Sequence, residues 1–300
     1  MKKKTYLFAL MAMVLTLGSC SDNENSIGGE TSKYITVSTS IGNMTRVATD
    51  ANGGQTFEEG DEISVYAWTG DATIAPETRE RVVNNAINKL TNGSWISNPQ
   101  MLWKNNRDKH YFIGVYPISA ISDLSAGEYT FDANKQTESD LLVAVNPDGL
   151  SYSADAQQTV PLTFTHVMAK LAVNLTYKNQ WGGIPTVEKV VVGNAAKEAT
   201  INYLTKVVTP STTAKEDFSL PEITENTKYV SVIIPQEDVK QLTIVIGGKN
   251  FVYDNGTPFK LESGKITTVN LEVGRDEIKL GDVKITDWED GSTFGGEALN

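Results

Sequence analysis

Cysteine occurs once, as Cys20, and histidine twice, as His110 and His166. One cysteine excludes an intramolecular disulfide, and two histidines exclude a three-histidine metal site. A lone histidine near a strand end reads as a capping or core-edge residue, not a ligand. The nucleophile patterns Ser-x-x-Lys and Gly-x-Ser-x-Gly are missing. Gly264-Lys265 lacks the upstream Gly and downstream Ser/Thr of a phosphate-binding loop. Asp287, Glu289, Asp290 and Gly291 do not space as a calcium loop, so a solvated turn is their default reading. The adjacent pair Glu58-Glu59 would face opposite ways in a strand and cannot flank one glycosidic bond. Basic clusters are absent outside the N-terminus, and the formal net charge is −11. So acidic a chain repels phosphate backbones, which excludes nucleic acid as a partner. Nothing in the residues argues for an enzyme, a cofactor or a resident metal.

The only long apolar run spans residues 6–17, twelve residues against the ~20 that a membrane-crossing helix needs. It follows Lys2, Lys3 and Lys4 and ends Leu17-Gly18-Ser19-Cys20, a pattern like the bacterial lipobox. Residues 1–19 therefore read as a lipoprotein signal peptide whose removal takes the net charge from −11 to −14, because three lysines and no acid leave with it. Cys20 reads as the lipidated residue, anchoring the chain to an outer membrane through acyl chains worth ~0.8 kcal/mol per buried CH₂. The other reading is an ordinary signal peptide that happens to contain Cys. Residues 20–33 are polar, acidic at the start and glycine-containing, a tether with little to bury.

Beyond the tether the rhythm is that of strands. Ile35, Val37, Thr39 and Ile41 alternate with polar residues; residues 43–55 form a polar loop that contains Arg46. The turn at Glu58-Glu59-Gly60-Asp61 leads into a strand from Ile63 to Trp68, and Tyr111 to Tyr116 and Leu141 to Val145 are short apolar runs suited to strands covered on both faces. Residues 81–90 carry helical spacing at Val83, Ile87 and Leu90, but the turn at Asn92-Gly93-Ser94 favours a strand. Further runs begin at Val187, Val230, Leu242 and Phe251, with Gly247-Gly248 as a hairpin turn and Asn255-Gly256 as the next turn. The tryptophans at 68, 95, 103, 181 and 288 read as packing residues; exposed, they would instead offer platforms for sugars.

The centre of the chain carries a phase slip. Val160, Leu162 and Phe164 occupy even positions, whereas Val167, Ala169, Leu171, Val173, Leu175 and Tyr177 occupy odd ones. Because strand facing has period 2, one strand cannot serve a single core across Thr165-His166. The expectation is two strands serving two cores with a domain junction there; a bulge within one long strand is the alternative.

Several segments together resemble the fimbrillin-like (Mfa-like) family of surface lipoproteins, subunits of type V pili. They are Phe57-Glu58-Glu59-Gly60-Asp61-Glu62-Ile63-Ser64-Val65-Tyr66, Tyr111-Phe112-Ile113-Gly114-Val115-Tyr116-Pro117 and Ser139-Asp140-Leu141-Leu142-Val143-Ala144. Leu162-Thr163-Phe164-Thr165-His166-Val167-Met168-Ala169-Lys170-Leu171, Ile234-Pro235-Gln236 and Ile285-Thr286-Asp287-Trp288 complete the set. The resemblance implies an all-β chain of two tandem transthyretin-like β-sandwich domains, 34–165 and 166–300, behind the signal peptide. It also implies assembly with other fimbrial subunits by strand exchange. A trypsin-like surface protease would cut between Arg46 and Val47, releasing the strand at 34–41. A C-terminal strand of a neighbouring subunit, here around 277–288 with Ile278, Leu280, Val283 and Ile285, would fill the groove. Gly281-Asp282 breaks the phase of that series and reads as a bend. Arg46 read without the family is an ordinary solvated loop residue. The rival functions are a monomeric surface glycan-binding lipoprotein and a non-polymerising tip adhesin for a host or bacterial surface ligand. Exposure of the tryptophans discriminates the first of these.

Overall fold

The computed structural model describes residues 33–42, 56–136, 138–153 and 158–288. In chain order the first half holds β1 (Thr36–Ile41), β2 (Glu62–Thr69), β3 (Arg81–Thr91), β4 (Ser94–Asn98), β5 (His110–Tyr116), β6 (Gly127–Thr130), β7 (Leu142–Leu150) and β8 (Thr159–His166). The second half holds β9 (Ala169–Tyr177), β10 (Val187–Ala196), β11 (Glu198–Asn202), β12 (Val207–Pro210), β13 (Lys215–Leu220) and β14 (Glu222–Thr224). It continues with β15 (Lys228–Ile233), β16 (Gln236–Ile246), β17 (Lys249–Leu261), β18 (Lys265–Val273) and β19 (Ile278–Asp287). Helix among the described residues is limited to the 3₁₀ turns Thr78–Glu80 and Asn179–Trp181, so the chain is all-β, as expected.

Seven strands form one sheet in the order β1-β8-β7-β5-β2-β3-β4. A five-stranded sheet, β14-β15-β9-β18-β19, and a four-stranded sheet, β13-β10-β16-β17, share one core and make the second sandwich. Residues 81–91 are strand β3, and Asn92 and Gly93, both at positive φ (51° and 72°), turn it into β4 with the twist a tight hairpin requires. Gly247-Gly248 turns β16 into β17 in the same way. Asn255-Gly256 does not turn the chain. The β16–β17 register jumps from Gln241–Asp254 to Val239–Phe259, so residues 255–258 bulge out of a strand that continues.

The phase slip marks a change of sheet. β8 ends at His166 in the seven-stranded sheet, and β9 begins at Ala169 in the five-stranded one, with Val167-Met168 between them. Val160, Leu162 and Phe164 lie in one buried cluster, confined to residues 35–164; Val167, Leu171, Val173 and Leu175 lie in another. That second cluster is not confined to the second half, which differs from a strict one-core-per-half division. Tyr66, Trp68, Ile113, Val115 and Val143, on the other face of the seven-stranded sheet, belong to it. The sheet is thus buried on both faces, which is why every residue from Ile63 to Trp68, Ser64 included, is buried. Strand β6 leaves its own half altogether and pairs with β11, forming the small sheet β12-β11-β6. Gln136 adds a clasp: its Oε1 accepts the Val232 N–H at 2.7 Å, and its Nε2 donates to Ser231 Oγ at 3.1 Å.

His110 is fully buried at the start of β5 and packs edge-on against Trp103, 5.0 Å between ring centroids. Its Nε2 accepts the Lys104 N–H at 3.0 Å, and Nδ1 lies 3.1 Å from the Asp108 carbonyl, to which it donates. Burial holds the imidazole below its ordinary value of 6.5, against a smaller upward pull from the Asp108 carbonyl. The folded chain thus refuses a proton that the unfolded chain accepts, so the stability this group contributes is lost as pH falls through 6.5 and below. Denaturant titrations between about pH 7.5 and about pH 5 should therefore show the native chain losing stability faster than His110→Gln. His166 is present in both proteins and cancels in the difference. Parallel curves would contradict a neutral buried His110.

Candidate functional site

The element that stands out chemically is β1, because it is held along one edge. Its ladder neighbour is β8, in parallel register from Thr36–Thr159 to Ile41–Phe164. Parallel pairing is slightly weaker per residue than antiparallel. Ile35, Val37 and Ile41 are buried, at 1%, 6% and 7% exposure, while Ser38 and Ser40 face out. Thr39 shares the inward face but is only half-buried, and its Oγ1 accepts the Trp95 Nε1 hydrogen at 3.0 Å. The ends of the strand are tied by Ile35 N–H to the Met101 carbonyl (2.9 Å), Trp103 N–H to the Lys33 carbonyl (3.2 Å) and Gly42 N–H to the Phe164 carbonyl (2.6 Å).

The other edge of β1 faces β4 across a groove of about 740 Å³ lined by Val37, Thr39, Ile41, Phe57, Trp95 and Ile96. Phe57 closes its floor, edge-on to Trp95 (5.3 Å), Tyr116 (5.4 Å) and Phe164 (5.1 Å). Three of the motif-bearing segments meet here, since Phe57, Tyr116 and Phe164 come from different ones. Tyr116 also donates to Asp61 Oδ1 at 3.3 Å; burial first and the Asp61 charge second push its hydroxyl up to about 12. The arrangement is a core covered at its margin by an edge strand. Burial of Ile35, Val37 and Ile41 is worth ~1.5–3 kcal/mol each, against a net stability of ~5–15 kcal/mol for a whole domain.

At the other end of the chain, β19 is the edge strand of the five-stranded sheet and pairs antiparallel with β18. Ile278 and Leu280 are half-buried, and Val283 and Ile285 are exposed at 38% and 40%. The phase break at Gly281-Asp282 is a bulge, not a bend. The register moves from Val269–Val283 to Leu271–Leu280, so both residues stand opposite Asn270. Two residues counted as one put Ile278, Leu280, Val283 and Ile285 on a single face. Asn270 Nδ2 donates to Asp282 Oδ1 at 2.6 Å and fixes the bulge.

Cys20, Arg46 and Val47 lie outside the described residues; the segment holding Arg46 joins Gly42, at the end of β1, to Thr56. Of the downstream arginines, Arg79 is exposed and paired with Glu77 at 2.9 Å. Arg81 is buried, with Nη1 donating to the Ile121 carbonyl and Nη2 to the Ser122 carbonyl, each at 2.7 Å, and Nη1 also to Asn84 Oδ1 at 2.9 Å. Its guanidinium is a staple for the loop after β5, out of reach of a protease. Sequence reading missed this role, which only burial reveals. Trp68, Trp103 and Trp288 are buried and Trp95 and Trp181 half-buried, so none of the five offers the exposed face that stacks on a sugar.

The family model described as fimbrillin-like matches residues 45–288. The chain belongs to the fimbrillin-like family. A protein of Bacteroides uniformis described as fimbrium subunit Fim1C is 25% identical over 323 residues, covering 100% of this chain and 99% of that protein. Among solved structures, a protein of Bacteroides uniformis described as a cell adhesion protein superposes with a TM-score of 0.61 at 20% identity, over 80% of this chain and 99% of that one. A cell adhesion protein of Bacteroides ovatus gives 0.62 at 18% identity, over 85% and 98%. These structures share the fold of this fimbrillin-like chain, an all-β arrangement of several packed sheets.

In this fimbrillin-like protein the inward residues of β1 should be stability determinants and the outward ones should not. Ile35→Ala is expected to cost ~2–5 kcal/mol in denaturant unfolding, and Ser38→Ala to stay within ~0.5 kcal/mol. Equal effects would mean that β1 does not complete the core.

Proposed function

We propose that this chain is a structural and adhesive subunit of a cell-surface fimbria, exported as a lipoprotein and assembled by protease-triggered strand exchange. The observation that carries the reading is β1 itself: an edge strand in parallel pairing, buried on its inner face, followed directly by the segment that contains Arg46. Cleavage between Arg46 and Val47 by a trypsin-like surface protease cuts the covalent link between β1 and the rest of its sandwich. What remains is the edge of β8 with unpaired backbone groups and an open floor at Phe57. An extended strand from a neighbouring subunit restores both. About eight ladder hydrogen bonds at ~0.5–1.5 kcal/mol each and three or four apolar side chains at ~1.5–3 kcal/mol each outweigh an association cost of ~4–15 kcal/mol. This is sheet-edge augmentation used for polymerisation.

In this reading β19 supplies the donor. Its apolar residues Ile278, Leu280, Val283 and Ile285 share one face, as Ile35, Val37 and Ile41 do in the strand it would replace. Residues 34–165 act as the acceptor domain and 166–300 as the donor domain. The glycan-binding alternative lacks an exposed tryptophan among the five and is not favoured.

The test is limited trypsin digestion of the soluble precursor, followed by gel filtration and electron microscopy. Cleavage after Arg46 followed by detergent-resistant ladders is the expected result, and Arg46→Ala should give no ladders. A cleaved chain that stays a folded monomer would overturn strand exchange. For the anchor, Cys20→Ala should leave the precursor without fatty acid label and free of membranes. A variant that still labels and sediments with membranes would refute lipidation at Cys20.

A further inference from the structure

Strand β19 is exposed at nearly every position along its length, yet the residue that follows it, Trp288, is 2% exposed. The indole sits in a socket built from distant parts of the chain. It stacks on the His166 imidazole, 3.9 Å between centroids and 7° between planes. The Lys170 ammonium lies over the indole, 4.0 Å from its centroid, a cation–π contact. His166 is held in turn by Asp140, Nδ1 to Oδ1 at 2.8 Å. The Trp288 backbone N–H donates to the Gly264 carbonyl at 3.0 Å and seats the residue against that turn.

The socket straddles the point where the chain crosses between sheets. His166 is the last residue of β8 and Lys170 the second residue of β9. The two linker residues are pinned from the same turn that receives Trp288: Ser263 Oγ donates to the Val167 carbonyl at 2.8 Å and Gly264 N–H to the Met168 carbonyl at 2.8 Å. Gly264 itself is at φ +66°, and a Cβ there would come 3.1 Å from the His166 carbonyl. The turn therefore needs glycine for both its backbone and its closeness to His166.

A strand paired on one edge, bulged in the middle and mostly open to water belongs to the parts of a fold that open locally. We infer that Trp288 is a latch: its docking between His166, Lys170 and Gly264, more than the β18 ladder, decides how readily β19 leaves its own subunit. The use of this latch in assembly rests on β19 being the donor strand; the latch itself does not.

Hydrogen exchange by mass spectrometry on the full unlipidated chain, without protease, reads the latch directly. Trp288→Ala should speed exchange of amides 278–287 by about tenfold or more, while β9 and β15 in the same sheet keep their native rates. Gly264→Ala, which leaves the indole intact but displaces the socket, should raise the same amides. Unchanged exchange in 278–287 in both variants would overturn the latch, and so would an equal rise across the whole sheet, the mark of an ordinary core residue. If Trp288→Ala does not fold, the Gly264→Ala and Lys170→Met variants decide by the same criterion. After trypsin treatment, the unlatched variants should polymerise faster than the native chain. Faster exchange with unchanged assembly would leave the latch standing and remove β19 as the donor.

Discussion

Strand β1 carries backbone pairing along one edge and core packing on one face, at the margin of the seven-stranded sheet. The two contributions are separable. The ladder to β8 is a set of hydrogen bonds that any extended chain can reproduce, since backbone groups carry no identity. The packing of Ile35, Val37 and Ile41 over Phe57 and Phe164 requires only aliphatic side chains at every second position. Requirements so general are what the proposed exchange asks of an acceptor site, and the groove lies on the edge of β1 away from β8.

Much of this was legible because local chemistry and tertiary context agreed. The alternation of residues 35–41, the turn at Asn92-Gly93 and the phase slip after Phe164 each have one cause and one outcome. Legibility failed where two structures share one signature. Asn255-Gly256 has the composition of a tight turn, but the same positive-φ tolerance serves a bulge, and only cross-strand register tells them apart. Gly281-Asp282 posed the same ambiguity between bend and bulge. Strand β6 was not seen because Gly127 to Thr130 has little β-forming pattern; it is extended because β11 pairs with it. The role of Arg81 was not legible, because no local signal says that loop carbonyls about 40 residues away will enclose it. The Trp288 socket joins residues from 140 to 288, a span over which pairing cannot be read from one sequence.

The halves of the molecule are joined by more than the two-residue linker. Sheet β12-β11-β6, the Gln136 clasp and the shared buried cluster all cross between them. Tyr66, Trp68 and Val115 of the first half belong to the buried cluster that continues into the second, so the halves share packing as well as strand pairing. The strand exchange proposed above would therefore take place on a scaffold braced from the other side.

The bulge in β19 has a consequence for solubility. A ten-residue edge strand with Val283 and Ile285 in the open is the kind of template on which unrelated chains stack into aggregates. The extra residue at Gly281-Asp282 interrupts the even spacing of donors and acceptors along its free side, and Lys279 and Lys284 place charges to either side of it. A second flat strand cannot keep register across that interruption. The same irregularity that holds four apolar side chains on one face thus denies the open edge to chance partners.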